Sequence, residues 1–237
     1  MRNELLLIAS LFLIYGGVLL WFKLFGTKGL YCWTVLATIA ANIEVLILVE
    51  AFGVQQTLGN VLFASTFLVT DILSEVAGKK EADRAVNIGI LTSVSFIVIS
   101  QSWLLYLPDE SDYVFPGIQT VFSNTPRVML AGLIVYAIVQ KFDVWLYHKW
   151  WALTNKRCGD NRRYLWLRNN GSTLVSQLLN SILFSLGAFW GIYDPKTLVH
   201  IIAVSYVIFI VTSLADTPIV YLARHIAEKR KSLPAGD

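Results

Sequence analysis

Uncharged apolar stretches alternate with short polar segments along the whole of the 237-residue chain. Each stretch is close to the roughly 20 residues that a transmembrane helix needs. None shows the period-two alternation that is typical of the strands of a membrane β-barrel. The pattern predicts seven helices, at about 5–22, 31–52, 56–76, 86–107, 128–149, 171–193 and 198–222. Segment 52–56 fits either a loop or a re-entrant turn, and a re-entrant segment there would leave six spans.

The composition agrees with this pattern. The chain is 56% hydrophobic and 15% charged, with a mean hydropathy of +0.60, whereas about a quarter of the residues of a soluble domain are charged. An ordinary soluble domain and a disordered chain are therefore both disfavoured. No polar stretch is long enough to separate two domains, and the first apolar run lacks the cleavage site of a signal peptide. We predict an all-α polytopic membrane helix bundle, with residues 1–237 forming one transmembrane domain.

The positions of the basic residues predict the orientation in the membrane. In a seven-span arrangement, 15 of the 19 lysine and arginine residues fall on one side. This count includes Arg168 in the loop before the sixth helix and Arg224 in the C-terminal tail. By the positive-inside rule, we expect the N-terminus outside and the C-terminus in the cytoplasm. All eight tryptophans fall near the ends of predicted spans, as anchors at the membrane interface would.

Ionisable and amide side chains inside the predicted spans are the candidate functional residues, because they are costly in hydrocarbon and tend to face an interior cavity. At ~1.5 Å per residue, Asn42, Gln140 and Asn180 fall near the midplane of a core ~30 Å thick. Gln177 lies one turn from Asn180 on the same helix face. The full set is Asn42, Glu44, Asp71, Glu75, Gln140, Lys141, Asp143, Gln177, Asn180 and Asp216.

Structural explanations exist for several of these residues. Glu75 lies close to two lysines and fits an interfacial charge equally well, Lys141 can snorkel to the inner surface, and a membrane Asn or Gln often only bridges two helices. Three amides at one depth, with Asp143 on the same face as Gln140, favour a binding site. Carboxylates, amides and aromatic rings suit a planar heterocycle rich in hydrogen-bonding groups. An amino acid or a cation fits the composition as well.

Sequence signatures of catalysis are missing. There is no HExxH, no GxSxG and no Gly-rich phosphate loop followed by Lys-Ser/Thr. The three histidines lie at predicted span ends without the spacing of metal ligands, and two cysteines are too few for a disulfide framework or a cysteine metal site. We therefore expect that the chain is not an enzyme, that it needs no cofactor or metal, and that it does not hydrolyse ATP.

The sequence resembles a known family. Segment 67–78, FLVTDILSEVAG, is similar to the TD-[IL]-L-x-E-x-x-G signature of the queuosine precursor transporters, also known as the vitamin uptake transporter family. The resemblance covers nearly the whole chain from the second helix onward. Two positions depart from the family: Asn180 stands where Asp is frequent, and Tyr206 is not followed by the frequent Lys. The other matching positions are Asn42, Arg127, Gln140 with Asp143, segment 168–173 (RNNGST), Gln177 with Asn180, Ser181 and Phe184, Thr217 with Pro218, and Tyr221.

The resemblance implies uptake of 7-deazaguanine bases, such as the 7-cyano and 7-aminomethyl precursors of queuosine, across the bacterial inner membrane. The substrate would bind near the midplane, and the helices would then rock to open the cytoplasmic side. The implied substrate-binding residues are Asn42, Asp71, Gln140, Asp143, Gln177 and Asn180. The implied gating or coupling residues are Glu44, Glu75, Arg168 and Asp216.

Two other functions fit the same sequence. One is a substrate-binding membrane subunit of an ATP-driven vitamin or nucleobase uptake system, and the other is a membrane assembly factor without transport activity. The expected partners are a planar small molecule and the lipid bilayer, and no nucleic acid. Seven short helices make a small transporter, and small-residue spacings such as that of Ala37 and Ala41 would allow packing into a homodimer.

Overall fold

The structure, a computed structural model, describes residues 1–123, 126–158 and 164–232. Within these ranges the chain forms eight helices and one two-stranded hairpin. All helices except α5 correspond to predicted apolar segments, so the predicted all-α bundle is confirmed. The elements are α1 (Arg2–Phe25), α2 (Thr27–Glu44), β1 (Leu48–Ala51), β2 (Val54–Thr57), α3 (Asn60–Val76), α4 (Lys79–Trp103), α5 (Phe115–Ser123), α6 (Pro126–Cys158), α7 (Leu165–Phe189) and α8 (Pro195–Ser232).

Five of the described helices, α1, α4, α6, α7 and α8, are long and apolar enough by themselves to cross a membrane. The other two predicted spans, α2 and α3, are shorter, with 18 and 17 residues. Helix α3 is buried along most of its length and packs against α2, α4, α6 and α8. Because its neighbours surround it, α3 does not need a long lipid-facing surface.

The second predicted helix was wrong at its C-terminal end. It was expected to continue to residue 52, but α2 ends at Glu44 and the next residues form an antiparallel hairpin in which Leu48 pairs with Thr57. Phe52 and Gly53 form the turn with φ values of 55° and 73°, and tight hairpin turns with two positive φ angles favour glycine. The apolar run before the turn fits a helix or a strand, and periodicity does not separate the two over so few residues. The hairpin replaces both the loop and the re-entrant turn predicted there.

Other boundaries also differ from the prediction. Helix α7 begins at Leu165 rather than near 171, so Arg168 lies inside a helix and not in a loop. Helix α8 continues to Ser232, so Arg224 lies on a helix and not in a tail. The polar segment 109–126 contains the short helix α5. Arg162 and Arg163, which were counted among the inner basic residues, lie outside the described residues.

The main apolar core joins the first four helices to α8. Its members include Phe22 of α1, Leu30 of α2, Ile72 of α3 and Val220 of α8, all of them buried. Trp33 also belongs to this core and donates from Nε1 to the hydroxyl of Ser65 at 3.0 Å. It is therefore a core residue, and its prediction as an interface anchor was wrong. Many leucine, isoleucine and valine side chains on the outside of the bundle are exposed, as expected for a surface that faces lipid.

Candidate functional site

A cavity of about 410 Å³ lies at the end of the bundle where the hairpin meets the start of α8. This volume is within the range of roughly 300–1,000 Å³ that is typical of small-molecule sites. Two predicted substrate-binding residues, Asn42 of α2 and Asn180 of α7, line it. The other four predicted substrate-binding residues do not line it and lie deeper in the bundle.

Aromatic rings from three helices form one wall of the cavity. Phe63 of α3 packs against Tyr136 of α6, with ring centroids 6.1 Å apart and planes at 70°. It also contacts Phe209 of α8 at 6.3 Å, and all three residues line the cavity. A Cβ atom at Gly89 of α4 would overlap the Tyr136 hydroxyl. Glycine at this position therefore allows the phenol ring to take its place in the wall.

The two asparagines present different hydrogen-bonding groups to the cavity. Asn42 is half-buried, and its Nδ2 donates to the backbone oxygen of Thr38 at 2.7 Å, so its Oδ1 is left as an acceptor. Asn180 is 5% exposed and makes no side-chain hydrogen bond within the described ranges. A free amide can both donate and accept. Together they can bind a ligand that carries both donors and acceptors.

Gln140 lies beneath the cavity and is held by helix α3. Its Nε2 donates to Thr66 Oγ1 at 2.7 Å, and its Oε1 accepts from Thr70 Oγ1 at 3.3 Å. Thr66 lines the cavity, whereas Gln140 is fully buried. In this structure Gln140 therefore positions Thr66 and joins α6 to α3.

Three buried aspartates lie below this level on three different helices, and we call them the carboxylate layer: Asp71 of α3, Asp143 of α6 and Asp216 of α8. Each is at most 1% exposed, and Asp71 is close enough to interact electrostatically with the other two. Asp71 Oδ2 accepts from Thr173 Oγ1 at 3.0 Å. Asp216 Oδ1 accepts from Asn169 Nδ2 at 2.7 Å. Helix α7 therefore supplies a hydrogen-bond donor to two of the three carboxylates.

Asp143 and Gln177 are left with unpartnered oxygen atoms. Among the described residues, neither oxygen of Asp143 accepts a hydrogen bond, and the same holds for Gln177 Oε1. Ser176 of α7 faces Asp143 without hydrogen-bond geometry to either oxygen. These buried acceptors are therefore without a well-formed hydrogen bond among the described residues.

An ion cluster closes the opposite end of the bundle, and we call it the Glu75 cluster: Glu75, Tyr147, Arg168 and Arg224. Glu75 Oε1 lies 2.7 Å from both Arg168 Nη2 and Arg224 Nη1. The Tyr147 hydroxyl donates to Glu75 Oε2 at 2.8 Å, and the Arg168 guanidinium lies 4.4 Å from the ring centre of Trp151. The Glu75 side chain is 1% exposed. Glu75 is therefore a buried member of an ion cluster and not simply a charge at the membrane interface.

The remaining predicted residues are not part of these groups. Glu44 is half-buried at the C-terminal end of α2, next to the hairpin, and does not line the cavity. Lys141 is exposed on the outer face of α6, where snorkelling was expected. Asp216, predicted as a coupling residue, belongs to the carboxylate layer.

Sequence reasoning missed the aromatic wall and two members of the Glu75 cluster. Tyr147 lies four residues after Asp143 on α6, so helical spacing could have placed it on the same face. Arg224 gave no such signal, because it was assigned to a tail. Phe63, Tyr136 and Phe209 are apolar or aromatic residues in apolar runs, and nothing in the sequence separates them from core residues.

The fold and the site define a polytopic membrane protein with a small-molecule cavity inside its helix bundle. Comparison with known protein families shows the family to which the chain belongs. Residues 57–223 match the model of the family described as "Putative vitamin uptake transporter", and the chain belongs to this transporter family.

A curated relative from Bacillus subtilis (strain 168) bears the name "Probable queuosine precursor transporter". It is 39% identical over 207 residues, which cover 87% of this chain and 88% of the relative. No solved structure matches the chain.

Proposed function

We propose that this protein imports 7-deazaguanine bases, the precursors of queuosine, into the bacterial cytoplasm. The relative's name provides the substrate class, and the cavity carries the proposal in this chain. A 7-deazaguanine is a flat ring with hydrogen-bond donors and acceptors at its edge, so its binding site needs aromatic faces beside amide groups.

The cavity offers both kinds of group. The ring of Phe63 packs against those of Tyr136 and Phe209, and aromatic rings at a cavity wall can stack on a flat ligand. Asn42 and Asn180 provide amide oxygen and nitrogen atoms at the same cavity. We propose that the base lies against the aromatic wall and that the two amides bind its edge.

The distribution of charge supports an orientation in which the cavity opens to the outside. Near the cavity end of the bundle the basic residues are Arg2, Arg127 and Lys196, whereas the end with the Glu75 cluster is rich in lysine and arginine. By the positive-inside rule, the cavity faces outside and the Glu75 cluster faces the cytoplasm. The structure then corresponds to a state open to the outside.

Import requires the closed end to open. The carboxylate layer and the Glu75 cluster lie between the cavity and the cytoplasmic surface. Helices α3, α6 and α8 contribute to both, and α7 contributes Arg168 to the cluster and hydrogen-bond donors to the layer. The spacing of four residues from Asp71 to Glu75 corresponds to about 6 Å along α3. We propose that these four helices separate at the Glu75 cluster after the base has bound.

Uptake by cells that cannot make the precursor tests the proposal. Cells that express the chain are expected to accumulate a labelled 7-deazaguanine, and Asn180→Ala is expected to raise the KM about tenfold, because one hydrogen bond to the base is lost. Asn87→Ala is the matched control, since Asn87 is exposed on α4 and lies outside the cavity. Accumulation no greater than in cells with an empty vector would contradict the proposed function.

Reconstitution separates this function from a subunit of an ATP-driven system. The purified chain in liposomes is expected to take up the base without any ATPase. If uptake occurs in cells and is lost in liposomes that contain this chain alone, a partner protein drives the transport.

A further inference from the structure

The carboxylate layer has an excess of buried acceptors over donors. Both oxygens of Asp143 and Oδ1 of Asp71 have no hydrogen-bond partner among the described residues. Asp143 is 0% exposed and Asp71 is 1% exposed, so water does not solvate them at the surface. An ionised carboxylate in such surroundings is strongly unfavourable unless a positive charge or donors compensate it.

Helix α7 brings an unpartnered hydroxyl to the same layer. Ser176 Oγ is buried without a partner in the described part of the chain. Ser176 faces Asp143. Asn169 is directed at Asp216, because the Nδ2 of the same amide donates to this carboxylate at 2.7 Å. The unpartnered hydroxyl of Ser176 therefore lies beside the unpartnered carboxylate of Asp143.

Within the described ranges the chain does not neutralise this layer with its own basic residues. The buried arginine nearest along α7, Arg168, pairs with Glu75, and so does Arg224 from α8. The other titratable groups that interact with the layer are Tyr15 from α1, Tyr147 from α6 and Glu75 itself. None of these three supplies a positive charge. A cation from solution can supply the charge that the described basic residues do not.

We propose that the carboxylate layer binds a monovalent coupling cation, a proton or a sodium ion, that is carried together with the substrate. The inference rests on the proposed function, because it gives the energy source of the same transport. Oxygen atoms are the ligands that hard cations prefer. A proton would meet the same need, since it turns an unpartnered acceptor into a donor.

The first experiment needs no substrate. The melting temperature of the purified full-length chain is measured in sodium chloride against choline chloride at equal ionic strength, and then over a pH series in choline chloride. A rise of Tm in sodium identifies sodium, and a rise of Tm on acidification without a sodium effect identifies the proton. The Asp143→Asn variant should not show this shift in Tm, because its amide carries no charge to neutralise. Its Tm should be close to that of the cation-saturated wild type.

Two further variants complete this experiment. Asp216→Asn is expected to reduce the same shift, so the result does not depend on the folding of a single variant. Glu50→Gln is the matched control, because Glu50 is an exposed carboxylate on the hairpin and its replacement should leave the shift unchanged. An unchanged Tm of the wild type in both series, or an equal shift in wild type and Asp143→Asn, would overturn the inference.

The second experiment measures uptake of a labelled 7-deazaguanine by liposomes under an imposed sodium or proton gradient. The gradient identified above should stimulate uptake by the wild type and have no effect on Asp143→Asn. If neither the cells nor the liposomes take up the base, the proposed substrate is wrong, and the Tm shift of the first experiment still decides whether the cation site exists. Uptake by the wild type that neither gradient stimulates would overturn the coupling.

Discussion

Replacement of Glu75 by glutamine should destabilise the protein strongly. The variant keeps the size of the side chain and removes the negative charge that both arginines share, at 2.7 Å each. The Arg168 side chain is 1% exposed and that of Arg224 is 18% exposed, so a buried guanidinium loses the carboxylate of Glu75 as its counter-charge. Breaking a buried ion pair from one side typically costs about 3–5 kcal/mol. For a chain of this length we expect a decrease in Tm of roughly 6–20 °C.

The structure also predicts how the other members of the Glu75 cluster behave. Arg224→Met should cost less than Glu75→Gln, because Glu75 keeps Arg168 and the Tyr147 hydroxyl as partners. The double variant Glu75→Gln/Arg168→Met should recover much of the lost stability, since it also removes the buried positive charge that Glu75 neutralises.

Thermal unfolding of the purified variants, followed by tryptophan fluorescence, measures these effects. Glu50→Gln serves as the control, because it removes an exposed carboxylate of the same size. A Tm of Glu75→Gln equal to that of the wild type would refute the reasoning. The reasoning would also be refuted if the decrease in Tm of the double variant equalled the sum of the decreases for Glu75→Gln alone and Arg168→Met alone, since the two charges would then not be coupled.

Three more predictions concern other parts of the molecule. Gly89→Ala should displace the Tyr136 ring into the cavity and raise the KM of uptake, whereas Gly16→Ala, where a Cβ meets no neighbouring atom, should not. Asp194→Asn should destabilise the start of α8, because Asp194 Oδ1 accepts hydrogen bonds from the backbone N–H groups of Lys196 and Thr197. The side-chain hydrogen bond from Thr197 and these backbone hydrogen bonds lower the pKa of Asp194. Because the folded-state pKa is lowered, this stabilisation is present above the ordinary pKa of an aspartate and is lost as the pH falls through the folded value; the Tm difference between wild type and variant should shrink on acidification. A fluorescent protein fused to the C-terminus should fluoresce and an alkaline phosphatase fused there should be inactive; the reverse result would contradict the proposed orientation.

The helices were the most predictable part of this protein. A long apolar run has few alternatives in a membrane, because its backbone groups must be satisfied within the segment or in a closed barrel. The prediction was wrong where this constraint is weakest, at residues 45–52, where the chain leaves the helix and forms the hairpin. At these residues a short apolar segment fits either a helix or a strand, and pairing with β2 selects the strand.

The candidate site was predictable only in part. Asn42 and Asn180 stood out because amides are rare in hydrocarbon, and both line the cavity. The same reasoning selected Gln140, yet its amide is occupied by Thr66 and Thr70. An amide that joins two helices and an amide that binds a ligand have the same sequence signature, and only the neighbours of the side chain distinguish them.

The sequence by itself determined the class of protein, the approximate spans and the set of polar residues that the membrane interior must accommodate, because the cost of burying charge in hydrocarbon is a local property of each segment. Tertiary structure alone decided which of these residues meet. Glu75 and Arg224 are separated by 149 positions in the chain, and Phe63 lies beside Tyr136 and Phe209 only because α3, α6 and α8 converge. Partner choice depends on helix packing, so it is a property of the assembled bundle.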